Sequence, residues 1–223
     1  MDFDLIVFDW DGTLMDSEAR IVTCMRGAFI ELGVEPPAPE AVREVIGLGL
    51  DEAIHTLWPA AGSERRREIM THYRQRFLVS DDTPTPLFEG AVELVRELHD
   101  AGRLLGVATG KSRRGLDEAL AASGLARFFH ATRCADETFS KPHPAMLEAL
   151  MDELGVDPAR TLMVGDTEYD MELAGNAGVA AVAVGYGAHA PERLLAHGPL
   201  ACVMSIAELG DWLRARQPAP VLS

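Results

Sequence analysis

Asp9 and Asp11 stand one residue apart where an apolar run, Phe3 to Phe8, stops and gives way to Gly12 and Thr13. Leu5, Ile6, Val7 and Phe8 read as a short strand covered on both faces, as in a parallel sheet. Open α/β sheets collect ligands at the carboxyl edge of their strands, and that is where these two acids emerge. A side-chain period of two keeps them on one side if the strand geometry persists. Such a pair suits a nucleophile beside a general acid and base, or oxygen ligands for a hard metal ion. Gly12 lets the backbone turn tightly and approach a ligand. Alone, the stretch is equally well a solvated Asp-Gly turn.

Two further polar groups repeat the placement, and a third opens a helix. Thr109-Gly110-Lys111 follows the run 104–109, Gly165-Asp166-Thr167-Glu168-Tyr169-Asp170 follows the run 161–164, and Lys141-Pro142 precedes a helical pattern. Singly these are a turn, a helix cap and a surface loop. Parallel strands, however, put their carboxyl ends on one side, so Asp9, Asp11, Thr109 and Asp166 are expected to share one crevice.

The elements that must position them follow from periodicity. Ile21, Met25, Ala28, Phe29 and Leu32 recur at helical spacing and predict a helix over 17–32, stopped by Gly33 and the prolines beyond it. Pro39 suits a first helical position, 50–58 reads as a short helix, and Ser63 is expected to cap a longer one carrying Ile69, Met70, Tyr73 and Phe77. The Arg65-Arg66-Arg67 run reads as a solvated face. Residues 81–86, with Pro84 and Pro86, form a stiff polar connector. Beyond it helices over 90–101, 116–123, 144–154 and 168–177 alternate with strands over 104–109, 129–133, 161–164 and 180–184. A weak strand near Cys202, a helix over 206–216 and a mobile proline-containing tail close the series. This alternation predicts an α/β fold with a parallel sheet and right-handed crossovers, interrupted by an all-helical insertion. The expected division is a core of residues 1–15 and 86–223 with an inserted helical domain over 16–85.

At 223 residues, 48% hydrophobic and 25% charged, the chain can bury a substantial core. A formal charge of −15 argues against nucleic acid as a partner, since such binding needs clustered basic residues. No apolar run approaches the length of about 18 residues expected of a membrane span. The first residues lack the basic region of a signal peptide. Cys24, Cys134 and Cys202 stand in unrelated contexts and suggest free thiols in a reducing compartment, so a cytoplasmic location is expected.

The four polar stretches, in order, resemble the motifs of the haloacid dehalogenase-like (HAD) hydrolase superfamily, in its phosphoglycolate-phosphatase-like branch: FDWDGTLMDSE, VATGKS, SKPHP and VGDTEYD. The resemblance covers essentially the whole chain. It implies a Rossmann-like core with a helical cap, a bound magnesium ion, and hydrolysis of a small phosphate monoester through an aspartyl-phosphate. It makes Asp9 the nucleophile and Asp11 the general acid and base, with Asp9, Asp166 and the main-chain carbonyl of Asp11 on the metal. Thr109, Gly110 and Lys141 would bind the phosphoryl group, and Asp170 would orient the metal's ligands from behind. The expected partner is thus a small phosphorylated metabolite, phosphoglycolate-like or a sugar phosphate, with monomer and dimer both open.

The cap is expected to choose the substrate, with Arg43 meeting an anionic group and Gly47 and Gly49 permitting close approach. Arg20 and Lys111 are weaker candidates for that task, Lys111 being read as a surface or supporting charge. His143 is read as a helix starter and Trp10 as packing. A phosphosugar mutase of the same superfamily remains an alternative, and a catalytically idle binding member a lesser one, since the motifs are intact. A phosphonatase is disfavoured because 16–85 contains no lysine for a Schiff base, and a nucleotide-binding dehydrogenase because no Gly-x-Gly-x-x-Gly follows the first strand.

Overall fold

The computed structural model describes residues 3–216. Six parallel strands form one sheet: β1 Leu5–Phe8, β2 Leu104–Thr109, β3 Ala131–Cys134, β4 Thr161–Gly165, β5 Ala180–Val184 and β6 Cys202–Val203, in the order β3-β2-β1-β4-β5-β6. Strand order reverses beside β1, so a crevice opens at its carboxyl end between β2 and β4. Every residue of β1 is buried, as its continuous apolar run requires.

The pleat sorts side chains to two faces. Ile6, Phe8, Val107 and Val164 pack with α5 (Ala91–Asp100), α6 (Arg113–Ser123) and α10 (Ile206–Arg214). Leu5, Val7, Ala108 and Met163 pack with α7 (Ala145–Leu154) and α8 (Glu168–Asn176). The expected α/β architecture is therefore present, with helices on both faces of a parallel sheet. A short helix α9 (Pro191–Leu195), which the sequence pattern did not reveal, follows β5.

Between β1 and α5 lie α1 (Glu18–Glu31), α2 (Pro39–Arg43), α3 (Leu50–Leu57) and α4 (Ser63–Gln75), with α4 continued by a π-turn over Arg76–Ser80. They share an apolar cluster of their own around Met25, Phe29, Val42, Ile54 and Ile69. The two passages joining this insertion to the sheet run side by side: Asp16 N–H donates to Pro86 O at 2.8 Å, and Phe88 N–H to Leu14 O at 3.0 Å.

Several local expectations shift. Ser63 is the first helical residue and Gly62 the cap, so the serine hydroxyl caps nothing. α6 begins earlier than its apolar stripe suggests because Ser112 caps it, its side chain accepting from Gly115 N–H. β3 lies two residues later than its aromatic flank suggested, Phe128 ending a 3₁₀ turn instead. The Arg65–Arg67 run is indeed a solvated face, Arg65 pairing with Glu68 and Arg66 with Asp51. The proline-containing tail lies outside the described residues. None of the described helices is long and apolar enough to cross a membrane.

Candidate active site

β1 delivers Asp9 to the crevice, and the chain then turns through Gly12, whose φ of 82° is left-handed. That turn lets the backbone lie against β4's product, Asp166: a Cβ on Gly12 would stand 2.1 Å from Asp166 Oδ2. Asp166 is fully buried. It accepts from Thr13 Oγ1 at 2.7 Å and from Ala188 N–H at 2.8 Å, and Gly187 leaves equally little room beside it.

Asp170, on the first turn of α8, is also fully buried and its oxygens are committed. Oδ2 accepts from Thr167 N–H at 3.0 Å and from Thr167 Oγ1 at 2.8 Å, capping α8, while Oδ1 lies 2.6 Å from Lys141 Nζ. Lys141 reaches past it to Asp9 Oδ1 at 2.9 Å. Neither oxygen of Asp9 accepts an aligned hydrogen bond among the described residues, although both are buried.

Oxygens of Asp9, Asp166 and Asp170 lie within 4.8 Å of one another. Of these three clustered carboxylates, Asp9 and Asp170 meet the ammonium of Lys141, and Asp166 meets only Thr13 and Ala188 N–H among the described residues. Burial pushes the Asp9 carboxyl up to about 7 despite the pull of Lys141, and burial together with the charges of Asp9 and Asp170 holds Asp166 well above the ordinary carboxylate range. Burial alone would lower Lys141, but Asp170 and Asp9 reverse that and raise it. Burial without a cation thus disfavours the charged form of Asp9 and Asp166, Asp9 meets Lys141 only at Oδ1 and accepts no aligned hydrogen bond among the described residues, and every donor is a hard oxygen. This set fits a divalent oxygen-seeking cation such as magnesium.

Asp11 lies on the cavity side of the same turn. Its Oδ1 accepts from Ser17 Oγ at 2.6 Å, and Lys111 Nζ donates to Oδ1 at 2.7 Å and to Oδ2 at 2.9 Å. Lys111 is therefore no surface charge: its side chain is only 9% exposed and it sits against a site carboxylate. The sequence contains just two lysines, Lys111 and Lys141, and both ammonium groups rest on site carboxylates. Of the two readings offered for Lys111, the supporting charge is the one its position on Asp11 fits. Thr13, Ser17 and Thr167 were missed, as hydroxyls whose partners only the fold brings near.

Thr109, at the end of β2, is buried, and its hydroxyl accepts from Lys111 N–H at 3.2 Å. Gly110 faces the insertion. A Cβ there would stand 2.5 Å from Leu48 O and 2.6 Å from Gly47 O, so the helical insertion rests directly on this turn. The same loop is tied down at Gly49, whose N–H donates to Ser140 Oγ at 2.7 Å, and at Glu44, whose carbonyl accepts from Tyr169 at 2.8 Å. A Gly110→Ala variant is expected to keep its folding midpoint within a few degrees while losing at least about tenfold in kcat/KM, because the methyl props the insertion off the crevice. Thermal melts and steady-state kinetics on one preparation check this, and unchanged kinetics would show that the contact does not matter.

Gly47, Leu48 and Gly49 line a cavity of about 270 Å³ that opens onto Asp9, Asp11, Thr109, Gly110 and Lys111. Arg43 does not line it. Its guanidinium pairs with Glu18 at 2.5 Å and with Glu40 at 3.5 Å on the outer side of the insertion, and the Glu18 carboxylate raises its already high pKa. The expectation that Arg43 faces the substrate is corrected accordingly. Arg20 is held by Asp81. His143 receives the N–H of Ala145 at 3.2 Å, consistent with a helix-starting role, and Trp10 is buried edge-on to Phe129.

A family model described as haloacid dehalogenase-like hydrolase matches residues 6–184. IndB of Dickeya dadantii, named a probable phosphatase, is 34% identical over 211 residues, covering 92% of this chain and 91% of its own. A phosphoglycolate phosphatase of Rhodospirillum rubrum is 32% identical over 222 residues, covering 96% and 92%. Among solved structures, a hydrolase from Pseudomonas syringae shares the fold with a TM-score of 0.85 at 21% identity, over 96% of this chain and 100% of that one. The motifs that converge on the crevice and these relatives agree, and the chain belongs to the haloacid dehalogenase-like hydrolase superfamily, in its phosphoglycolate-phosphatase-like branch.

Proposed function

We propose that the protein is a magnesium-dependent phosphatase that hydrolyses a small phosphate monoester through an aspartyl-phosphate on Asp9, with residues 16–85 as the cap over the crevice. The observation that carries this reading is Asp9 itself, a buried carboxylate that borders the cavity, meets Lys141 at one oxygen and accepts no aligned hydrogen bond among the described residues. Its named relatives, which include phosphoglycolate phosphatases and a pyrophosphatase, support phosphoryl chemistry.

Asp9, Asp166 and the main-chain carbonyl of Asp11 would hold the metal, which when bound neutralises charge on the nucleophile and the phosphoryl oxygens. Asp9 attacks phosphorus while the bond to the leaving oxygen breaks, splitting one difficult displacement into two easier ones. Asp11 hands the leaving oxygen its proton, then takes one from the water that frees phosphate from Asp9. Lys111, donating to both oxygens of Asp11, holds that carboxyl beside the cavity. Thr109, the Gly110 N–H and Lys141 would be the fixed donors that neutralise phosphoryl oxygens. The seated loop at Gly47 to Gly49 limits water at the phosphorus. All three cysteines are free, Cys24 and Cys134 buried, which supports a reducing, cytoplasmic setting.

Phosphate release from a panel of monoesters tests the proposal. Release is expected to fall to background in chelator and to return on adding magnesium. Release indifferent to chelation, or none from any ester in magnesium, would refute it.

A further inference from the structure

Resting on the phosphatase reading, the lining of the same cavity points to the part of the substrate that leaves. Away from the phosphoryl end the wall is made by the insertion, chiefly Ile21, Met25, Leu48, Met70, Tyr73 and Phe77. Tyr73 and Phe77 stack with ring centroids 5.7 Å apart, and Phe77 carries Lys111 Nζ 4.6 Å from its centroid, so the aromatic wall begins beside Asp11. Burial raises the Tyr73 hydroxyl far above its ordinary pKa, so it stays neutral.

The charges around the rest of the cavity disfavour a second anion. Glu52, Asp136 and Asp51, the last paired with Arg66, also line it, whereas the basic side chains lining it are Lys111, committed to Asp11, and Arg74, which is exposed. Arg43 is turned to Glu18, and Arg20, which does not line the cavity, lies behind its wall over the Phe77 ring at 4.9 Å and is held there by Asp81. A carboxylate on the leaving group would lie in an apolar pocket rimmed with acids, losing its hydration without a buried cationic partner.

We infer that the favoured substrates are monoesters of uncharged, largely apolar alcohols, aliphatic or aromatic, in preference to 2-phosphoglycolate. The chain's place in metabolism then follows a reaction that phosphorylates such an alcohol, or cleaves a larger phosphodiester to leave it. The Met, Tyr and Phe wall suits this, because thioether and aromatic surfaces adapt to apolar groups of varied outline.

Ethyl, butyl and hexyl phosphates test the inference, since their leaving oxygens are alike in basicity and differ only in apolar surface. With magnesium, kcat/KM is expected to rise roughly threefold per methylene until the cavity is filled. 2-Phosphoglycolate should fall at least tenfold below butyl phosphate. Met70→Gln, at the wall, should flatten the gradient. A flat or falling series, a better rate on 2-phosphoglycolate, or an unchanged gradient in Met70→Gln would overturn the inference and leave the phosphatase standing. No release from these esters, with release from another monoester of the panel, would likewise overturn the inference, and no release from any ester in magnesium would remove the phosphatase reading itself.

Discussion

Asp9→Asn is expected to lose at least about 10⁴ in kcat while gaining stability in chelator at pH 8. The first half follows from the chemistry, because an amide is no nucleophile toward phosphorus and removing a covalent nucleophile costs several orders of magnitude. The second follows from burial. Asp9 pairs with Lys141, but its two oxygens accept no aligned hydrogen bond among the described residues, and its carboxyl is raised to about 7. Between the unfolded value near 3.8 and about 7 the folded protein keeps a proton that the unfolded chain has released. The unfolded state then binds fewer protons, so metal-free stability falls as pH rises through that window and levels off above it. The asparagine has no such proton to lose.

Melting temperatures from pH 4 to pH 8 in chelator check this, with the wild type falling relative to Asp9→Asn as pH rises. Magnesium should reverse the order at pH 8 by stabilising only the wild type, through binding to the native state. Acid-quenched wild type incubated with substrate should carry a phosphoryl group on intact mass, and Asp9→Asn should not. A variant with near-normal turnover, or one whose melting falls with pH in parallel with the wild type, would contradict the role given to Asp9.

Much of this site was legible because it is written in strand ends. β2 and β5 fall where their apolar runs predict, since each run is bounded by polar or glycine-containing turns. Asp9, Thr109 and Asp166 needed only the rule that parallel strands share a carboxyl edge. What stayed hidden depends on partners remote in sequence. Lys111 reads equally as a surface or a supporting charge after a strand, and only the fold decides between them by setting it 2.7 Å from Asp11, 100 residues away. Arg43 looks free until α1 brings Glu18 to it. The cavity wall was invisible for another reason: Met25 belongs both to the insertion's core and to the cavity, and one helical stripe carries both duties. Periodicity reports that a residue is turned inward and says nothing of what it meets there.

Lys141→Met should be the most damaging substitution to fold and catalysis together. The lysine is fully buried as a side chain and stands between Asp9 and Asp170 at 2.9 and 2.6 Å. Removing it leaves two buried carboxylates facing one another, and breaking a buried pair from one side costs about 3–5 kcal/mol. The ammonium also offsets charge that develops on the phosphoryl group, and a fixed donor of this kind is worth about 10²–10³ in kcat. The two contributions separate in a double variant. Lys141→Met with Asp170→Asn leaves one carboxylate without its counter-ion instead of two, and the asparagine can still accept from Thr167 to cap α8. Urea midpoints should therefore recover much of the loss, while kcat stays depressed. If the double variant were as unstable as the single one, the cost would lie in packing around the lysine stem. If its kcat recovered with its stability, Lys141 would be only a brace, and the charge on the phosphoryl group would have to be met by the metal and the donors of β2 alone.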